Sequence, residues 1–332
     1  MRLMTCLLVG ALCVTPVSAL AGDNSQMAHG LHLKWLDRSV SPSQNFYKFA
    51  NGNWQKNNPI PAAYSRWGIF SMLYVENQKR VRGIIEAAAS DQNVKAGSTA
   101  QKVGDFYNSG MDMKAIDAAG IKPLAPVFKR IEAVNSLSEL QSAIAYLQNI
   151  GVTTPFAFGS MQDLKNSSKV IASAGQDGLG LPDRDYYLKK DKKFKKIRAA
   201  YVKYIAGMFG LLGDSSSKSA NEARTVMSIE TRLAKAQMSR VAQRVPKNTY
   251  HVMTLKQMDA LTPNIDWKAY FAEIGLPKLS SANVGMPGYF KALSTDLKSV
   301  SLADWKTYLR FHVANEFAPY LSKPFVDEHF KM

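Results

Sequence analysis

Ile197-Arg-Ala-Ala-Tyr-Val-Lys-Tyr-Ile-Ala-Gly-Met-Phe-Gly-Leu-Leu212 decides the fold class of this chain. Ile197, Ala200, Tyr201, Tyr204, Ile205, Met208, Phe209 and Leu212 are spaced alternately three and one apart. That spacing places them on one face of an α-helix, a stripe that must be buried against other elements. Lys195, Lys196, Arg198 and Lys203 fall off the stripe and face water. The same periodicity returns in Trp305, Tyr308, Leu309, Val313, Phe317 and Tyr320. Ser136-x-x-Glu139 is a capping box, because the hydroxyl and the carboxylate each satisfy an orphan amide. It opens a helix through Leu140, Ile144 and Leu147, which Gly151 closes. One stretch departs from this pattern. Thr153 to Met161 and Lys169 to Ala174 are rich in β-branched or aromatic residues, and Asp163 to Ser168 between them is turn chemistry. The expected architecture is therefore mainly α, a multi-helix domain with a small β-hairpin insertion. Ser90 to Thr99 and Gly213 to Ser219 are the only soft stretches, and neither is long enough to mark a domain boundary.

The 332 residues are 46% hydrophobic and 20% charged, a globular composition rather than a disordered or membrane-bundle one. The only cysteines are Cys6 and Cys13, which excludes a disulfide scaffold, a CxxC redox site and a cysteine-rich zinc module. Both lie in a segment that reads as an export leader. Arg2 precedes an apolar run from Leu3 to Val14, and Ala19-Leu-Ala21 supplies an A-x-A cleavage site. The run is too short to span a bilayer, which needs about 20 residues. Residues 1–21 are thus expected to be a signal peptide, residues 22–41 a flexible mature N-terminus, and the location periplasmic or secreted.

A search for chemistry by spacing finds no active site. The histidines are His29, His32, His251, His312 and His329, and none forms the H-E-x-x-H of a zinc peptidase. His312 with Glu316, near Glu328-His329, is the most metal-like set, and a His–Glu hydrogen bond between helices explains it equally well. There is no G-x-S-x-G elbow and no P-loop. Gly178-Leu-Gly180-Leu-Pro-Asp183 starts like a dinucleotide loop but carries Asp where the third glycine belongs. Lys+Arg 42 against Asp+Glu 26 gives a net charge of +16, and its densest run is Lys189 to Lys196 with Arg198. That run reads as a solvated helix face, and export together with the lack of any nucleic-acid signature argues against a nucleic-acid partner.

From Pro42 onward the chain resembles the N-terminal domain of the neprilysin-like zinc metallopeptidases, the neprilysin and endothelin-converting-enzyme type. Pro42-Ser-Gln-Asn-Phe-Tyr47, Asn51-Gly-Asn-Trp54 and Asn58-Pro-Ile-Pro61 are similar to the family's opening signature. Ser65-Arg-Trp-Gly-Ile-Phe70 is similar to its R-[YW]-G-x-F segment. Gly178-Leu-Gly-Leu-Pro-Asp-Arg-Asp-Tyr-Tyr-Leu188 is the most specific match. Ile229-Glu-Thr-Arg-Leu-Ala234 and Ile265-Asp-Trp-Lys-Ala-Tyr270 extend the resemblance. Asn45, Val245 and His251 depart from the family's usual Asp, Asp and Asn.

The resemblance implies a helical, exported enzyme that cleaves oligopeptides inside a closed cavity, with zinc held by H-E-x-x-H and a downstream E-x-x-x-D helix. Those elements belong to a C-terminal domain following the matched region, so residues 42–332 are expected to be an N-terminal domain incomplete at its C-terminal end. No catalytic residue and no metal ligand are carried over. Zinc belongs to the complete family enzyme, and the chain alone is expected to be inactive. One substrate-binding residue is implied: Arg66, placed as the arginine that takes a peptide's C-terminal carboxylate. A structural acid or Trp67 is the alternative partner for that guanidinium, and the family's second substrate-contacting arginine falls at Tyr74. The alternative functions are a non-catalytic periplasmic peptide-binding or interaction protein built on the same fold, and a module for anionic surfaces. Phe317, Tyr320, Leu321, Phe325 and Phe330 are expected to form an apolar C-terminal patch through which the chain self-associates.

Overall fold

The structure, a computed structural model, describes residues 32–332, so the expected leader and His29 lie outside the described residues. The chain divides into two compact units, one ending at Gly104 and the other running from Asp105 to Met332.

In the first unit a single 3-10 turn, Leu33–Trp35, leads into α1 (Phe46–Asn57). This part of the expected flexible segment is tied down: the Asp37 amide donates to Phe49 O at 2.7 Å, and Asn53 Nδ2 donates to Leu36 O at 2.8 Å. Asn45 caps α1, its side chain accepting from the Lys48 amide at 2.9 Å, so an amide serves where the family usually has a carboxylate. α2 (Ile69–Ser90) follows, carrying the (i, i+4) pairs Glu76–Arg80 and Arg82–Glu86. No residue of α1 or α2 is buried. α3 (Thr99–Met111) contains the division between the units.

The second unit opens with α4 (Met113–Ala119), α5 (Ala125–Glu132) and α6 (Leu137–Asn149). Ser136 caps α6 by accepting from the Glu139 amide at 3.1 Å, but Glu139 reaches back to the Asn135 amide at 2.7 Å, one residue beyond the expected box. Gly151 ends the helix at φ 82°, in the left-handed region that favours glycine. β1 (Phe156–Asp163) and β2 (Asn166–Gln176) form the expected hairpin with a tighter turn, because Asp163 Oδ1 accepts from the Lys165 amide at 2.9 Å.

α7 (Arg184–Leu188), α8 (Lys192–Leu211), α9 (Ser216–Ala236) and α10 (Arg240–Gln243) come next. They are followed by β3 (Val252–Thr254), α11 (Leu255–Leu261), α12 (Trp267–Glu273) and β4 (Ser281–Val284). α13 (Pro287–Ser299), α14 (Leu302–Phe317) and α15 (Lys323–His329) complete the unit. The hairpin belongs to a four-stranded sheet of order β1-β2-β4-β3, with β2 and β4 parallel and the other pairs antiparallel. β3 and β4 were not legible as strands, being too short to show alternation.

One hydrophobic core holds this unit, and two parts of it are rich in aromatic residues. Tyr201, Tyr204, Ile205, Met208 and Phe209 of α8 are buried against α9 and α14, whereas Ala200 at the edge of the expected stripe stays exposed. Against the sheet, Phe156 meets Trp267 at 5.7 Å, Tyr270 at 5.2 Å and Phe290 at 5.7 Å between ring centroids. Each such side chain contributes roughly 1.5–3 kcal/mol by leaving water. The expected C-terminal patch is smaller than its five residues suggest. Leu321 and Phe325 are buried and Phe317 is half-buried, while Tyr320 and Phe330 stay exposed, because α15 folds back onto α8.

Candidate functional site

Arg66 lies in the loop that leads into α2, three residues before Ile69, and is exposed. No described residue hydrogen-bonds or ion-pairs with it, and neither alternative partner is engaged. Trp67 instead packs on Tyr64 at 4.8 Å between ring centroids. Trp67 also lines a cleft of about 700 Å³ in the first unit, together with Trp35, Trp54, Met72, Leu73 and Glu76. Arg66, unpartnered among the described residues, is thus the chain neighbour of Trp67, which lines an indole-rich cleft. The fork of N–H donors matches a carboxylate in a bidentate way, and no internal acid has to be displaced first. Tyr74, in the second arginine position, is exposed on α2 and offers a phenol in place of a charge. The cleft itself was missed at the sequence level, since its three tryptophans come from segments with no shared period.

The segment Gly178 to Leu188 proves to be scaffold rather than reactive site. It wraps a carboxylate, Glu230, that is wholly buried in the middle of α9. Tyr187 OH donates to Glu230 Oε2 at 2.7 Å, Tyr201 OH to Oε1 at 2.9 Å, and the Gly180 amide to Oε1 at 3.3 Å. Tyr187 OH also accepts from the Leu181 amide at 2.9 Å, and Tyr308 OH donates to Gly178 O at 2.9 Å. Burial, and next the Glu230 charge, hold these three phenols far above their ordinary range, so they remain donors. The glycines are sterically required. A Cβ on Gly180 would lie 1.9 Å from Tyr201 OH, and one on Gly178, at φ +90°, would lie 2.7 Å from Tyr308 OH. The neighbouring pocket of about 210 Å³ is lined by Asp177, Arg184 and Arg240. Both arginines are already committed: Arg240 to Asp183 at 3.2 Å and Arg184 to Ala234 O at 3.3 Å.

The histidine–carboxylate set does not fit a zinc ion. His312 Nε2 lies 3.0 Å from Glu230 Oε1, without the alignment of a hydrogen bond, and the His312 ring packs tilted against Tyr308 at 4.3 Å between centroids, so Glu230 and not Glu316 is its neighbour. His329 Nδ1 pairs with Tyr204 OH at 3.0 Å, and Glu328 with Lys331 at 2.6 Å. Among the described residues no three His, Cys, Asp or Glu side chains converge as a metal cage.

Comparison with known proteins places this geometry. The family model described as peptidase family M13, for its N-terminal part, matches residues 42–332. Endothelin-converting enzyme 1 of Rattus norvegicus is 27% identical over 306 residues, which cover 89% of this chain and 40% of that protein. The endothelin-converting enzyme homolog of Locusta migratoria is 28% identical over 319 residues, covering 90% of this chain and 43% of that protein. Among solved structures, a zinc metalloprotease of Mycobacterium tuberculosis in complex with an inhibitor superposes with TM-score 0.82 at 30% identity. That superposition covers 91% of this chain and 46% of the other. This chain thus spans less than half the length of the relatives it matches. Its helical fold, the placement of its motifs and the match over residues 42–332 make it a member of the neprilysin-like peptidase family M13, whose N-terminal domain it carries.

Proposed function

We propose that residues 42–332 are the N-terminal, substrate-enclosing part of an exported zinc metalloendopeptidase that cleaves oligopeptides. In this reading Arg66 takes the peptide's C-terminal carboxylate. The observation that supports it is the exposed, unpartnered Arg66 next in sequence to Trp67 of the tryptophan-lined cleft, within a chain of this family. Zinc, its ligands and the base that activates water come from outside residues 1–332, which contain no H-E-x-x-H. The chain by itself binds and orients peptide without hydrolysing it. The leader over residues 1–21 directs it to the periplasm or out of the cell, and nucleic acid is not a partner. No helix among the described residues is long and apolar enough to cross a membrane. Tyr320 and Phe330 provide an apolar contact for self-association.

The reading is tested with a fluorescent oligopeptide carrying either a free or an amidated C-terminus. Binding of the free acid should exceed that of the amide, and Arg66→Ala should remove about tenfold or more of that preference, as expected for a charge-assisted pair of about 1.5–3 kcal/mol. Arg66→Lys should restore part of it, because an ammonium offers charge without the fork. Equal binding of acid and amide removes Arg66 from the substrate site. Cleavage of the peptide by residues 1–332 with added zinc overturns the assignment of catalysis to other sequence.

A further inference from the structure

α8 and α9 lie side by side and present an outer face on which charge is sorted by sign. Four acids fall between Lys189 and Lys235, and each is committed: Glu230 is buried, Glu222 and Asp214 bind Arg310, and Asp191 caps α8. The cations point outward. Lys192, Lys195, Lys196, Lys203 and Lys235 are exposed and form no ion pair with any described residue. Arg224 is also exposed and reaches only neutral partners, Ala220 O at 3.2 Å and Asn221 Oδ1 at 2.5 Å, so its full charge remains.

The face has relief as well as charge. A groove of about 490 Å³ runs between the helices, with Val202 of α8 opposite Arg224, Ser228, Thr231 and Lys235 of α9. Those four α9 residues recur at intervals of four, three and four, so they form one stripe in which two hydroxyls sit between two cations. Lys195, seven residues before Val202, falls on the same side of α8. Helices of 20 and 21 residues make this surface about 30 Å long.

We propose that the outer face of α8 and α9 docks on the surface of an anionic phospholipid bilayer, with the headgroup phosphates seated along the Arg224, Ser228, Thr231 and Lys235 stripe. Charge complementarity points to a polyanion, and the form of the face selects among polyanions. A long, shallow, rigid helical face suits a planar array of phosphates. The face lacks the exposed aromatic platform on which the bases of a single strand would stack, since Phe194 is half-buried against Tyr186 at 5.1 Å between ring centroids. Basic residues held at a leaflet of this kind act additively and within a Debye length, so the attachment is cooperative along the patch and sensitive to salt.

The test is co-sedimentation of the full chain, recovered after export, with vesicles of equal parts phosphatidylglycerol and phosphatidylcholine. Binding should be strong to these, absent from pure phosphatidylcholine, and lost between about 0.1 M and about 1 M salt, as the screening length falls from about 10 Å to about 3 Å. Lys195→Glu, Lys196→Glu and Lys235→Glu together should weaken binding about tenfold or more. The same charge reversal placed elsewhere, Lys256→Glu with Lys268→Glu and Lys278→Glu, should weaken it far less. Circular dichroism of both variants verifies folding. Equal losses from the two triple variants would mean that net charge alone is at work, and would overturn the assignment. So would failure of the wild-type chain to bind the anionic vesicles, including the case in which the same lysines instead retain a nucleic acid. Inorganic phosphate at millimolar concentration should not compete; full competition would replace the bilayer with a free anion and also overturn the proposal.

Discussion

Glu230 shows at the residue scale what a buried charge requires of its neighbours. Two phenols and a backbone amide converge on its carboxylate, and His312 closes the fourth side. Removing one member leaves the others desolvated and without a partner, which costs more than the intact group contributes. Glu230→Ala should therefore lower unfolding stability by about 3–5 kcal/mol, read from the urea midpoint, whereas Glu230→Gln, which retains an acceptor, should cost less. A loss under about 1 kcal/mol for the alanine variant would show that the phenols find other acceptors. The sequence marked both participating segments, Gly178 to Leu188 and Ile229 to Ala234, by their resemblance to a family. It did not show that they meet, because the contact between Gly180 and Glu230 spans 50 residues. Arg66 was legible in the same way. Its freedom from any internal acid was not, since that depends on what the folded chain leaves around it.

Between elements, a largely buried ion-pair junction ties the α8–α9 turn to α14. Arg310 donates to Asp214 Oδ2 at 3.0 Å and to Glu222 Oε1 at 2.9 Å, while Lys218 also pairs with Asp214. The two carboxylates respond in opposite directions. Lys218 and Arg310 outweigh the burial of Asp214 and hold its pKa below the ordinary value. Burial, and next the Asp214 charge, push Glu222 above its ordinary value, and its Oε2 has no partner. A depressed acid contributes stability that disappears as pH falls through its folded pKa, whereas a raised acid contributes stability that disappears as pH rises through its folded pKa. Glu222→Gln should therefore leave stability unchanged or improved at pH 7, while flattening the weakly acidic limb of the stability–pH curve. Thermal melts across the acidic range would check this, and a large loss at pH 7 would mean that the Glu222 charge is needed by Arg310. Element boundaries were legible wherever a cap or a period was local, as at Ser136 and in the stripe of α8. β3 and β4 were hidden because a strand of three or four residues is defined by its partner and not by its own pattern. Buried Asn283 illustrates this: its Oδ1 accepts from the His251 amide at 2.6 Å, and its Nδ2 donates to Thr249 O at 3.0 Å.

Across the whole molecule, apolar burial is unevenly distributed. α14 alone buries seven residues, including Trp305, Tyr308 and Phe311, whereas α1 and α2 bury none and leave Phe70 90% exposed. Local stability follows buried contact, so amides of α1 and α2 should exchange with deuterium about a hundredfold or more faster than those of α9 and α14. Equal protection in the isolated chain would mean that another surface covers the first unit. The sheet carries a further consequence, one of time. β2 pairs in parallel with β4 through Ser173↔Asn283 and Ala174↔Val284, which lie about 110 residues apart in the chain. At a synthesis rate of roughly 5–20 residues per second, the β2 edge of the hairpin waits on the order of ten seconds for its partner strand to be made. During that interval its unpaired amides and carbonyls offer a template to any neighbouring nascent chain.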